Sequence, residues 1–129
     1  MTASTAQATM HIGELAEKTG LSLRTIRHYD DVGVLKASGR TEGGFRIYTQ
    51  DDLTRLLLIR RMKPLGFTLE EMSELLTVID QLQSGDPGSD SVEVRASLGH
   101  FIDETIARRE GLHRQLEMAD DFVELLRAQ

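Results

Sequence analysis

A chain of 129 residues with 40% hydrophobic and 28% charged residues has the size and composition of one folded domain, which excludes disorder as its main state. The absence of cysteine removes disulfides, thiolate metal sites, cysteine-ligated iron–sulfur clusters and cysteine nucleophiles. The net charge of -6 does not exclude a nucleic-acid partner, because the signs are segregated: residues 24–63 carry nine basic and five acidic side chains, a balance of +4, and residues 64–129 carry five and fourteen, a balance of -9. The first ten residues lack the basic and apolar segments of a secretion signal, and no apolar run approaches the ~20 residues that cross a bilayer. A cytoplasmic location is therefore expected.

Residues 1–9 read as a flexible tail. Ile12, Leu15 and Ala16 repeat at helical spacing, and Thr19-Gly20 ends that first short helix where a glycine can turn left-handed. Ser22 follows as an N-cap, with Leu23 and Ile26 as an inward stripe and Tyr29 near its edge. Two short helices joined by a tight glycine turn form a helix-turn-helix. After Gly33-Val34-Leu35, the glycines at 39, 43 and 44 mark turns, and Phe45-Arg46-Ile47-Tyr48 alternates as a strand with Gly43-Gly44 as the hairpin turn. That hairpin is a wing, with Phe45 and Ile47 placed towards the core and Arg46 on the opposite face.

Thr49 and Asp52 resemble a capping box opening a third helix through Leu53, Leu56, Leu57 and Arg60, which Pro64 and Gly66 end. Thr68 and Glu71 form a second box, opening a fourth helix through Met72, Leu75, Leu76, Ile79 and Leu82. Residues 83–91 are a loop by composition, and no proline follows, so 92–129 can be one helix. Its heptads place Ile102, Arg109, Leu116 and Val123 at a, and Leu98, Thr105, Leu112, Ala119 and Leu126 at d. One apolar stripe on so long a helix requires a partner, most simply a second copy of the chain. The expected fold is mainly α: a winged helix-turn-helix head over 10–82, comprising two further helices, and then a long dimerisation helix.

On the second helix Arg24, Arg27, His28 and Asp31 are spaced i, i+3, i+4 and i+7 and so share a face. Arginine forks on such a face read guanine edges or clamp phosphates, and Ser22 and Thr25 add short polar contacts. The same pattern also describes an ordinary solvated face. Arg40, Arg46 and Tyr48 give the wing a mixture of cations and an aromatic suited to phosphate or minor-groove approach. Arg60, Arg61 and Lys63 either hold a phosphate or complement the negative end of the third helix.

The ordered runs His11-Ile12-Gly13-Glu14-Leu15-Ala16, Thr19-Gly20-Leu21-Ser22, Thr25-Ile26-Arg27-His28-Tyr29-Asp30, Gly33-Val34-Leu35, Gly44-Phe45-Arg46-Ile47-Tyr48, Asp52-Leu53 and Leu65-Gly66-Phe67-Thr68-Leu69-Glu70-Glu71 resemble MerR-family regulators. That resemblance spans roughly residues 10–82. It implies an antiparallel coiled-coil homodimer that binds palindromic promoter DNA, bends and untwists it, and reaches RNA polymerase indirectly through the promoter. By position it places Arg24, Thr25 and Arg27 in the major groove, His28 and Tyr29 on the backbone, and Arg46 in the wing. Three positions depart from the family pattern: His28 stands where tyrosine is commoner, Asp30 where glutamate is commoner, and Ala37 where a proline is often found.

Metal sensors of that family use cysteines near the end of the long helix, so neither metal nor cofactor is expected. With residues only to Gln129, no separate ligand domain is expected either. The alternatives are a regulator without an effector and one whose ligand lies among the helices of the dimer. Asp80, Asp86, Asp90 and Glu93 suit a solvated acidic loop better than a hard-cation site. His100 and His113 are too far apart to ligate from one helix face. No phosphate loop or nucleophile–base motif supports an enzyme. Two other readings stay open: an architectural DNA-binding accessory, and a coiled-coil module whose head docks protein.

Overall fold

The computed structural model describes residues 8–85 and 91–129. Residues 1–7 of the expected tail, and Asp86 and Asp90 in the expected loop, lie outside the described residues. The chain divides into a head ending at Leu76 and a tail unit, Thr77–Gln129.

In the head, strand β1 (Thr9–His11) leads directly into helix α1 (Ile12–Thr19). Gly20, at φ 73°, stops α1 in the left-handed region that side chains with a Cβ disfavour. Thr19 is fully buried and donates its hydroxyl to the Leu15 carbonyl at 2.9 Å, which satisfies a group otherwise costly to bury. Ser22 then caps helix α2 (Leu23–Asp31) by accepting from the Thr25 N–H at 3.1 Å. Leu15 and Ile26 are fully buried, and Tyr29 nearly so. The inward stripe of α2 is therefore Ile26 and Tyr29; Leu23, expected inward, is exposed at the first turn.

Strands β2 (Gly39–Arg40) and β3 (Arg46–Thr49) form the hairpin, with β3 central in an antiparallel sheet of order β1-β3-β2. Gly44, at φ 84°, closes the turn, donating its N–H to the Thr41 carbonyl at 2.9 Å. Register places Met10 opposite Tyr48, and both side chains are buried. The expected inward face of β3 is thereby corrected. Phe45 lies in the turn ahead of the strand and is 68% exposed, whereas Tyr48 is buried and Arg46 is half-buried. Alternation fixes which residues share a face, but not which face meets the core.

Burial pushes the Tyr48 phenol up to about 12, with the Asp30 carboxylate adding to the effect. Its hydroxyl has no hydrogen-bond partner among the described residues. Tyr48→Phe is accordingly expected to be neutral or stabilising by ~1 kcal/mol near neutral pH, because it removes an unsatisfied buried group. The folded-state pKa lies above the ~10 of a free tyrosine. Ionisation of Tyr48 therefore costs the fold nothing below pH ~10 and an increasing loss of stability as pH rises towards about 12. Melting curves at neutral pH and across that alkaline window test both parts. A clear destabilisation at neutral pH would contradict the unpaired hydroxyl.

Helix α3 (Gln50–Met62) opens with a complete capping box: Thr49 N–H donates to Asp52 Oδ2 at 2.9 Å, and Asp52 N–H to Thr49 Oγ1 at 3.3 Å. Asp52 also accepts the Ser38 hydroxyl at 2.5 Å, which ties the segment before β2 to the start of α3. Leu53, Leu56, Ile59 and Met62 are buried along one side of α3. A 3-10 turn, Lys63–Leu65, follows and ends at Gly66, φ 83°. Thr68 and Glu71 then exchange both capping-box bonds at the start of helix α4 (Leu69–Gln83). The division between head and tail falls inside α4, ahead of the expected boundary at 82.

In the tail, Ser91 accepts from the Val94 N–H and caps helix α5 (Val92–Arg127). Its 36 residues make a rod about 54 Å long at ~1.5 Å per residue. No residue of α5 is buried within the single chain.

Candidate nucleic-acid interface

With Ile26 and Tyr29 anchored in the core, the opposite face of α2 presents Arg24, Arg27, His28 and Asp31, all exposed. Among the described residues, Arg24, Arg27 and His28 form no ion pair within the chain. Uncompensated guanidinium groups on a rigid helix are the donors that base edges and phosphates require. Ser22 and Thr25 are tied together at the start of this helix, the Ser22 hydroxyl donating to Thr25 Oγ1 at 2.9 Å. Tyr29 is corrected: it is only 2% exposed, so its ring braces α2 from beneath instead of reaching outward. Burial also raises its phenol pKa.

The wing differs more from expectation. Tyr48 is wholly buried and offers no surface. Arg46 is engaged internally: its Nε lies 2.6 Å from Asp30 Oδ2, and its Nη2 lies 3.5 Å from Asp31 Oδ1. The hydrogen bond to Asp30 is the largest of the influences that raise the guanidinium pKa. Arg46 is therefore a strut between β3 and the end of α2. Arg40 alone of the three wing residues remains outward, bonded across the turn to the Gly44 carbonyl at 3.0 Å.

Asp30 also accepts the Ala37 N–H through Oδ1 at 3.4 Å. This joins two departures from the family pattern, since a proline at 37 would have no N–H to donate. Sequence reasoning missed Asp30 as a holder of Arg46, because the two are sixteen positions apart and nothing local pairs them. If Arg46 acts through Asp30, Arg46→Gln and Asp30→Asn are each expected to weaken duplex binding by about tenfold, and the double variant by about the same factor. A filter-binding cycle measures this. Additive losses, or tighter binding by Asp30→Asn, would make Arg46 an independent DNA contact.

At the end of α3 the three cations separate. Arg60 donates to the Thr19 carbonyl at 2.5 Å, capping α1 and linking α3 to the helix-turn-helix. Arg61 and Lys63 are exposed and, among the described residues, unpaired. Of the cations that the sequence singles out, Arg24, Arg27, His28, Arg40, Arg61 and Lys63 therefore remain outward, all carried by the head.

Comparison with known proteins agrees with this geometry. The family described as MerR HTH family regulatory protein matches residues 10–78, more than half of the chain. The chain belongs to the MerR family. A second MerR description, DNA binding, matches residues 53–119. The mercuric resistance operon regulatory protein of Bacillus cereus is 40% identical over 106 residues, covering 82% of this chain and 71% of that protein. The HTH-type transcriptional regulator CueR of Salmonella typhi is 35% identical over 105 residues, covering 80% and 76%. Among solved structures, HiNmlR, a MerR family regulator lacking the sensor domain and bound to promoter DNA, superposes with a TM-score of 0.70 at 30% identity, covering 94% of this chain and 89% of that one.

This MerR-family chain is a helix-turn-helix DNA-binding transcriptional regulator, and its relatives are regulators, not enzymes. No helix among the described residues is long and apolar enough to cross a membrane.

Proposed function

We propose that this MerR-family regulator acts as a homodimer on a promoter element of two inverted half-sites and alters transcription by distorting the DNA between them. The observation that carries this reading is the exposed basic face of α2, Arg24, Arg27 and His28, without an ion pair among the described residues, on a head whose wing Arg46 is already neutralised by Asp30. Arg24, Arg27 and Thr25 read bases, while His28, Arg40, Arg61 and Lys63 hold phosphates. The acidic balance of residues 64–129 repels the duplex from the tail and favours approach by the head.

Pairing of two copies through α5 is supported by its seam. Ile102, Leu112, Leu116, Val123 and Leu126 are exposed in the single chain, and Leu98 and Thr105 are only half-buried. A parallel pair would stack Arg109 on its own copy within the seam, placing two like charges in one layer. An antiparallel pair sets a positions against d positions, so Arg109 meets Leu112 of the other copy instead, and the guanidinium stem is left to cover apolar surface. Electrophoretic mobility shift with the chain's own upstream region tests the function. The expected result is a palindromic duplex bound far more tightly than random DNA at moderate salt, with transcript yield changing in run-off assays. Binding without preference overturns base reading. Specific binding with unchanged transcript favours an architectural accessory.

A further inference from the structure

Between α2 and the stretch from Lys63 into α4, the head contains an open groove of about 770 Å³, within the ~300–1,000 Å³ typical of small-molecule sites. Its walls have two characters. Arg24, Arg27, His28 and Lys63 supply donors at the rim, opposed by one carboxylate, Asp31, which already faces Arg46. Phe67, Leu69, Met72 and Tyr29 supply hydrocarbon. Phe67, Met72 and Tyr29 belong to the core, so the apolar wall is in place before any ligand arrives.

A DNA phosphate would use only the cations. Four donors beside a preformed apolar wall complement a molecule with an acid at one end and a ring at the other. We propose that this groove binds a small aromatic organic anion, and that such a ligand competes with DNA because Arg24, Arg27 and His28 serve both. The competition rests on the DNA-binding reading; the binding itself does not. Regulation would then act on the reading head directly.

The test uses the full chain and naphthoate as the probe, with neutral naphthamide as control. Calorimetry is expected to give saturation at one naphthoate per chain, with naphthamide binding about tenfold more weakly because it lacks the charge-assisted hydrogen bond. Lys63→Ala removes a rim charge from an exposed position, and Leu69→Gln removes hydrocarbon from a half-buried one. Each is expected to weaken naphthoate about tenfold. Amide shifts on titration are expected at His28, Lys63 and Leu69, and naphthoate is expected to release bound duplex. No saturable binding, equal affinity for naphthamide, or indifference to both substitutions overturns the site. Sensitivity to Lys63→Ala alone reduces the groove to a phosphate contact and overturns it equally. Duplex binding is measured in parallel without naphthoate: if the groove fills but no duplex binds, the DNA-binding reading fails and the site stands. If duplex binds but naphthoate does not displace it, the competition fails.

Discussion

An aspartate in place of Leu116 is expected to leave the chain folded but monomeric, with no preference for a duplex carrying two half-sites. Leu116 is 59% exposed in the single chain, so the substitution removes nothing from the head. In the proposed pair it occupies a seam position, and two-fold symmetry introduces the carboxylate twice. Each unpaired charge loses its hydration against apolar neighbours, a penalty of several kcal/mol per ion, so the association constant is expected to fall by roughly a thousandfold or more. Sedimentation equilibrium measures the association, and helical circular dichroism checks the fold. An intact dimer would reject the heptad frame placing Leu116 at a. A monomer that still prefers paired half-sites would reject the link between α5 pairing and DNA recognition.

The second large effect is expected at Arg27. Arg27→Ala is expected to weaken specific duplex binding by about 1–3 kcal/mol and to relax the preference at one base position. Because Arg27 is exposed and unpaired among the described residues, thermal stability should be unchanged, which separates a contact from a structural role. Lys63→Ala is the contrasting case: removing a phosphate ligand there weakens binding to all sequences alike. Titrations against the operator and a single-base series distinguish the two. Unchanged affinity for every duplex would favour a head that docks protein.

Much of the head is legible in the sequence because its signals are local. Gly20 and Ser22 mark the turn and the cap between α1 and α2, while Thr49 with Asp52 and Thr68 with Glu71 mark two further helix starts. Each motif acts within about one helical turn, where sequence spacing and spatial distance coincide. Strand β1 is not legible, because Thr9-Met10-His11 is too short to show alternation and exists through its pairing with β3. The cations are legible as a set but not in their individual roles. Arg60 finds a carbonyl forty-one positions away and Arg46 a carboxylate sixteen away, and only the folded chain brings those partners near. Tyr29 and Tyr48 read as surface residues because a polar-tipped ring suits either location, and burial is decided by neighbouring elements.

The Arg46–Asp30–Asp31 cluster also bears on how binding will respond to ionic strength. Each phosphate neutralised by a free cation displaces roughly 0.9 of a condensed counterion from B-form DNA. Arg46 already faces two carboxylates, so it adds little to that release although it lies in the wing. The slope of log affinity against log salt will therefore be shallower than a tally of basic residues suggests, leaving a larger share of the attraction to base contacts that salt does not screen.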